Sequence, residues 1–394
     1  MPLRVLMFGW ELPPCNSGGL GVACYGLSQA LAQQNIDITF VLPQRSAVKA
    51  DFMNIVFADL ENILWPLPSP YETRWIENSG LSRDLIDAVL NYAARAGTLA
   101  KKYHCDLVHA HDWLCFPAGI SASRAGHLPL VTHVHATEFD RSGGLSVNPT
   151  VYNFEKMGMD HSSAVIAVSN FTGRLLSGHY GTPPHKLHVV HNGIDSSLYP
   201  EEDTPLEILQ PLKEAGYRIV LYVGRLTLQK GPDYFLRAAG LVLQHNPKTV
   251  FLVVGTGDME GQMINQVAEM GISDKVLFAG FLRDELLNNV YRSADLFVMP
   301  SVSEPFGITA LESVANGTPA IISKQSGVSE TLSHVLKVDF WDTEEMANQI
   351  LSVLKYAPLS KTLKTNGRKE IKKVSWKAAA AKTIEIYKKI LSGR

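Results

Sequence analysis

The chain is expected to fold as α/β, in two doubly wound domains built on parallel sheets. Short apolar runs alternate with stretches of helical apolar spacing, a rhythm that calls for parallel strands joined by crossover helices. The rhythm lapses around residues 199–216, in a charged, proline-bearing segment that reads as an interdomain linker. It restarts at residues 218–223, again as a strand leading into a glycine turn, and 394 residues give each half room for its own core.

Taken in order, residues 4–8 read as the first strand, followed by Gly18-Gly19-Leu20-Gly21 and a helix to about Ala32. Residues 36–42 form the next strand. Residues 50–81, with Pro66, Pro68 and Pro70, read as an irregular insertion near a site or interface. A helix is expected over 85–103. Strands follow at 106–110, 130–134, 164–168 and 187–190, with helices from Trp113 and Asn170 among them. In the second half, strands are expected at 218–223, 250–254, 276–279, 296–300 and 320–323. Helices fall at 232–244, 261–270 and 286–292, one more follows Gly307, and the chain closes in helices from Thr343.

Composition is that of a globular protein, and a net charge of −2 gives no global pull toward nucleic acid. Nucleic-acid motifs, Walker loops and nucleophile elbows are absent. From Lys361 onward there are eleven Lys/Arg against Glu370 and Glu385, which reads as the solvated face of terminal helices. Membrane association is a disfavoured alternative. The four cysteines form no Cys-x-x-Cys pair, so free thiols in a reducing compartment are expected. The first residues lack a basic leader, and no apolar run approaches the ~20 residues that span a bilayer. A cytoplasmic protein is expected.

Ligands of open parallel sheets bind beyond the carboxyl ends of the strands, so the loops there hold the candidates. Gly224-Arg225-Leu226-Thr227-Leu228-Gln229-Lys230-Gly231 follows the first strand of the second half. Arg225 offers a planar fork and Lys230 a point charge just before a helix, as a diphosphate would require. Within 299–319 a strand, a loop with Glu304, Pro305 and Gly307, and a helix with Glu312 succeed one another. The helix start that Gly307 opens attracts phosphate, with one carboxylate in the loop before it and one inside the helix. A nucleotide-sugar has hydroxyls on both sides of a diphosphate and would suit that arrangement. Taken alone, the stretch equally fits a solvated loop carboxylate and an ordinary helical one.

In the first half, Gly18 and Gly19 permit close backbone approach of a phosphate or sugar, although they do not match the dinucleotide fingerprint. His133-Val134-His135-Ala136-Thr137-Glu138 follows a strand, and a histidine there can bind sugar hydroxyls or move a proton. His109-Ala110-His111-Asp112-Trp113 repeats the theme. His109 is expected to point away from His111, read as sitting at a helix entry, so no metal is expected. No Asp-x-Asp motif signals a metal-held diphosphate.

The set GGLG, HVHATEF, AVSNFT, HNGID, GRLTLQKG and E-P-F-G-x-x-x-x-E, in this order from Gly18 to Glu312, resembles the retaining glycosyltransferases of family 4, enzymes of GT-B fold. The opening FGWELPP…SGGLG and VHAHDW are similar to the neighbouring glycogen and starch synthases. Those synthases carry Lys two positions before the glycine pair, where this chain has Asn16.

The resemblance implies two Rossmann-like domains, 1–198 on the acceptor side and 199–375 for the nucleotide-sugar, facing a cleft. It also implies a helix over 376–394 returning to the first domain. Arg225 and Lys230 would hold the diphosphate, Glu312 the ribose hydroxyls, and Glu304 the reacting sugar. Backbone amides of Phe306, Gly307, Ile308 and Thr309 would touch sugar and phosphate. Gly18 and Gly19 would line the phosphates, and His135 would contact the sugar near its C6 hydroxyl. Asn192 and Asp195 would line the domain junction. The implied activity is retaining, metal-independent transfer of a hexose, glucose above others, from a UDP- or ADP-linked donor to an α-glucan or other glycan, with no separate cofactor. A sugar-nucleotide epimerase of the same fold and a non-catalytic nucleotide-sugar-binding module are the alternatives. Lys230→Ala and Glu304→Ala are each expected to abolish transfer and leave folding intact.

Overall fold

The computed structural model describes residues 2–15, 18–48, 50–59, 83–199 and 206–393. The chain divides into two compact units. The first comprises Met1–Phe139, Gly144–Gly193 and Trp376–Arg394, and the second Asp140–Gly143 and Ile194–Ser375.

The first unit is a seven-stranded sheet in the order β3-β2-β1-β4-β5-β6-β7. Its strands are β1 (Leu3–Phe8), β2 (Ile36–Leu42), β3 (Asn54–Phe57), β4 (Leu107–His111), β5 (Leu130–Val134), β6 (Ala164–Ala167) and β7 (Leu187–Val189). All pairs are parallel, with Leu3 beside Ile36 and Val5 beside Leu107 in the central register. Strands covered on both faces are largely apolar, which is why β1 and β6 read as near-continuous apolar runs. The helices are α1 (Gly19–Ala32), α2 (Arg83–Lys102), α3 (Phe116–Gly126), α4 (Glu138–Arg141), α5 (Pro149–His161) and α6 (Asn170–Tyr180).

The second unit is a six-stranded parallel sheet, β10-β9-β8-β11-β12-β13. It comprises β8 (Arg218–Val223), β9 (Thr249–Val254), β10 (Val276–Phe278), β11 (Leu296–Met299), β12 (Ala320–Ser323) and β13 (Leu336–Val338). Its helices are α7 (Gln210–Glu214), α8 (Pro232–His245), α9 (Glu260–Glu269), α10 (Asp284–Ser293), α11 (Ile308–Ala315), α12 (Thr343–Lys355) and α13 (Ala357–Ile371). The last helix, α14 (Trp376–Ser392), belongs to the first unit. In both sheets the strand order reverses beside the first strand, at β1/β4 and at β8/β11. Such switch points leave a crevice at the carboxyl ends of the strands.

Core packing explains both halves. In the first, one apolar cluster joins β1 and β4 to α2 and α3, and another joins the opposite face to α1 and α14. Gly26 sits in α1 because Trp376 needs the space: a Cβ there would lie 2.5 Å from the indole. In the second, Val220, Phe235, Phe251, Leu296 and Ile350 form the centre of one continuous core.

Several elements differ from expectation. Strand β3 lies inside the segment expected to be irregular, and residues 60–82 of that segment fall outside the described residues. The edge strand β13 and helix α5 were not anticipated. Helix α5 had a readable start, since Asn148 caps it by accepting the amides of Thr150 and Val151, with Pro149 in the first turn. In the expected linker, α7 forms, while residues 200–205 lie outside the described residues. All four cysteines are free. Among the described residues, no helix is long and apolar enough to cross a membrane.

Overpacking the α1–α14 contact gives a first test. Gly26→Ala is expected to lower unfolding free energy by about 1–3 kcal/mol in urea titration, because the indole must shift.

Candidate active site

At the β8/β11 switch point two loops are joined through main chain and side chain. Val302 N donates to Gln229 O at 2.9 Å, tying the loop after β11 to the loop after β8. Gly231, with φ of 60°, lets these loops touch: a Cβ there would lie 2.3 Å from Pro300 O. Gly255 plays the same part beside β9, where a Cβ would meet Gly224 O at 1.9 Å. Close approach of backbones, together with a positive φ, fixes glycine at both positions.

Lys230 ends a short 3₁₀ turn, Leu228–Lys230, and its Nζ donates to Glu304 Oε2 at 2.6 Å. Ser301 Oγ donates to the same oxygen at 3.0 Å. Glu304 is only 5% exposed, so the ion pair and hydroxyl are what keep its charge tolerable. Its backbone is equally fixed: Glu304 N donates to Gln325 O and Gly327 N donates to Glu304 O, each at 2.9 Å. Arg225 is half-buried, and Tyr222 Oη donates to its carbonyl at 2.8 Å. Gln229 is buried, and its Oε1 lies 3.4 Å from Arg225 Nη2. Gln229 thus serves both loops, a role its place in the sequence did not signal.

Gly307 caps α11 with φ of 111°, and neither a side-chain cap nor an acidic residue occupies the first turn. The N-terminus of α11 therefore keeps its positive field for an incoming group. The Phe306 ring is buried and its carbonyl accepts from Val328 N at 2.6 Å. Ile308 and Thr309 are half-buried in the first turn. One turn further along, Tyr291 Oη donates to Glu312 Oε2 at 3.2 Å. Burial pushes the Glu312 carboxyl up to about 7, and the Tyr291 hydrogen bond opposes that rise. The half-buried Tyr199 hydroxyl is pushed up by burial and then by the Glu312 charge.

Of the remaining candidates, all but Asp195 belong to the first unit. Gly18 precedes α1 in extended conformation, and a Cβ there would meet nothing within 4 Å, while Gly19 opens the helix. His135 follows β5, and its backbone N donates to Asp112 Oδ1 at 2.6 Å, with Ala136 N at 3.3 Å from the same oxygen. His111 Nδ1 lies 3.0 Å from His135 Nε2, and burial lowers the His135 pKa to about 3, so the ring is neutral. Asn192 is buried beyond β7. Asp195 spends its carboxylate locally, accepting from Ser197 N at 3.0 Å and Ser197 Oγ at 2.6 Å.

The expectation for His109 and His111 is overturned. Strand β4 runs through His111, and α3 begins only at Phe116. Residues two apart on a strand share a face, and the two rings stack with centroids 4.3 Å apart. His133 joins them, 5.4 Å from His109 and 5.3 Å from His111.

The two doubly wound units, with candidate ligand residues at strand ends, define the GT-B class of glycosyltransferase fold. Residues 17–198 match the family model described as Glycosyltransferase Family 4, and residues 205–370 match Glycosyl transferases group 1. The chain belongs to these group 1 and family 4 glycosyltransferases, enzymes that use nucleotide-sugar donors. It is 29% identical to an uncharacterized glycosyltransferase of Methanocaldococcus jannaschii, over 98% of each chain. It is also 29% identical to glycogen synthase of Mycobacterium tuberculosis, over 84% of this chain and 80% of that one. Among solved structures, Anabaena HepE in complex with UDP-glucose is similar, with a TM-score of 0.72 at 18% identity, covering 97% of this chain and 99% of that one. Neither an epimerase nor a silent binding module is favoured by these matches.

The ion pair revises one expectation about Lys230→Ala. Removing the cation leaves Glu304 buried and uncompensated, so a stability loss of about 3 kcal/mol is expected in urea titration. Lys230 is 22% exposed, which puts the effect at the low end for buried pairs. Adding Glu304→Gln to Lys230→Ala should restore most of that loss.

Proposed function

We propose that this glycosyltransferase moves a hexose, glucose above others, from a nucleoside-diphosphate sugar to a glycan acceptor with retention of configuration. The observation that carries the donor reading is the convergence of Lys230 and Glu304 in one ion pair, with Arg225 in the same loop as Lys230. The uncapped start of α11 follows Glu304 directly in sequence, and Glu312 lies one turn inside that helix. Arg225 and Lys230 take the diphosphate, Glu312 accepts the ribose hydroxyls, and Glu304 contacts the transferred sugar. The amides of Phe306–Thr309 face phosphate and sugar. Gly18, Gly19, His135 and Asn192 are the first unit's candidates for donor contacts, His135 through a neutral imidazole that can bond a sugar hydroxyl.

Lys230 has a second use in this reading. Without donor it neutralises Glu304; with donor its ammonium also meets the charge that grows on the leaving diphosphate. In the transfer step the bond from the sugar C1 to the phosphate oxygen breaks, and the bond from C1 to the acceptor oxygen forms on the same face. The acceptor proton passes to the departing phosphate oxygen. Two cations already held in place supply the stabilisation, which is why no metal is assigned to the chemistry. The HepE complex supports a UDP-linked donor and the glycogen synthase relative supports an α-glucan acceptor.

The direct test is a thermal-shift screen over UDP-, ADP- and GDP-sugars, followed by transfer to maltooligosaccharides with NMR of the new anomeric proton. The reading expects one donor to raise the melting temperature by mass action and an α-linked product from an α-linked donor. Inverted product, or no donor binding, contradicts it. Lys230→Ala and Glu304→Ala should each abolish transfer, and full turnover in either removes that residue's role.

The elevated pKa of Glu312 gives a pH signature. Its carboxyl is protonated below about 7 and loses acceptor capacity for two hydroxyls, so donor binding weakens as pH falls. Calorimetry with UDP-glucose is expected to give about tenfold tighter binding at pH 8 than at pH 6. Glu312→Gln should flatten that dependence, and an unchanged slope in the variant assigns the titration to another group.

A further inference from the structure

The first unit carries a side-chain cluster that the donor reading leaves unused. His109 and His111 project from β4 toward the face covered by α1 and α14, since His109 Nδ1 lies 2.6 Å from Tyr387 Oη. His133 stands beside His111 in the sheet register and shares that face. All three rings are fully buried. Yet His109 Nε2, His111 Nε2 and both nitrogens of His133 have no hydrogen-bond partner. Each unpaired buried polar atom costs about 1–3 kcal/mol, so such a group of them calls for a ligand.

The donor set fits a metal ion. One ring nitrogen from each of His109, His111 and His133 lies within 4.8 Å of the others. Burial keeps all three imidazoles neutral, with His109 lowered to about 3 and the other two well below their ordinary value, so their lone pairs are available. The Nδ1 atoms of His109 and His111 are already engaged, by Tyr387 Oη and His135 Nε2. Metal-bound histidines show this arrangement, in which an outer partner fixes the ring and the other nitrogen is left to coordinate. Cys24 and His135 lie within the same distance of His111.

We propose that His109, His111 and His133 bind one divalent transition-metal ion, zinc or another imidazole-preferring cation, as a structural site within the first unit. Three protein ligands leave a fourth position open. Tetrahedral zinc at its usual bond lengths needs nitrogens about 3.3 Å apart, inside the 4.8 Å within which the three ring nitrogens lie. The ion would pin β4 to β5 beneath α1 and α14. None of the three ligands is assigned to the donor, although His135, the partner of His111 Nδ1, also belongs to the donor reading.

The test uses the full chain, purified without a histidine tag. Elemental analysis is expected to find about one equivalent of zinc. After chelation, titration with Zn²⁺ should raise the melting temperature, and Co²⁺ should give the visible absorption of a tetrahedral site. His109→Gln and His133→Asn are each expected to reduce occupancy to background, whereas His104→Gln, on the surface, retains it. Tyr387→Phe, which removes only the outer partner, should weaken affinity about 10–100-fold. Absence of bound metal, absence of a Zn²⁺ shift and of a Co²⁺ band in the wild-type chain, or full occupancy in the His109→Gln/His133→Asn double variant, would overturn it. The wild-type measurements need no variant to fold.

Discussion

The ion pair between Lys230 and Glu304 is the constraint on which the candidate donor site depends. A carboxylate at 5% exposure is tolerable only beside an opposite charge, and the two partners are 74 residues apart in the chain. They meet because β8 and β11 are neighbours in the sheet, so the loops that leave their carboxyl ends run side by side. Gln229 and Gly231 hold those loops together, one through its carbonyl and one by having no side chain. Sheet order, loop stitching and a charged pair are successive consequences of one topology.

In the proposed reading this arrangement has a catalytic meaning. Electrostatic catalysis works when charged groups are fixed before the reaction, so that no reorganisation accompanies it. Lys230 is held by Glu304, Glu304 by Ser301 and by backbone bonds to Gln325 and Gly327, and Gly307 opens α11 directly afterwards. Glu312 is held differently, by one tyrosine in a site that raises its pKa. In the first unit Asp112 secures the backbone of His135 in a comparable way. Main-chain bonds to carboxylates or carbonyls are the common device.

The fold was largely legible because its signals are local. Apolar runs such as those of β8 and β9, broken by glycine, mark buried parallel strands without reference to distant residues. The missed elements lack that signal: β3 is a half-exposed edge strand of four residues, and β13 an edge strand of three. Helix α5 was different, since Asn148 and Pro149 announced its start. The places of the candidate residues Arg225, Lys230, Glu304 and Glu312, at strand ends and on a helix, were readable from the sequence. Their pairing was not, because a contact across 74 residues leaves no trace in one sequence. The histidine cluster was misread through one boundary: ending β4 at Ala110 instead of His111 turned a shared strand face into opposed directions.

The most direct measurement of the account is a crystal structure of the enzyme with a nucleoside-diphosphate sugar bound. The account predicts the diphosphate on Arg225, Lys230 and the start of α11, the ribose hydroxyls on Glu312, and the sugar beside Glu304. A diphosphate bound elsewhere, with Lys230 still engaged by Glu304 alone, would contradict it.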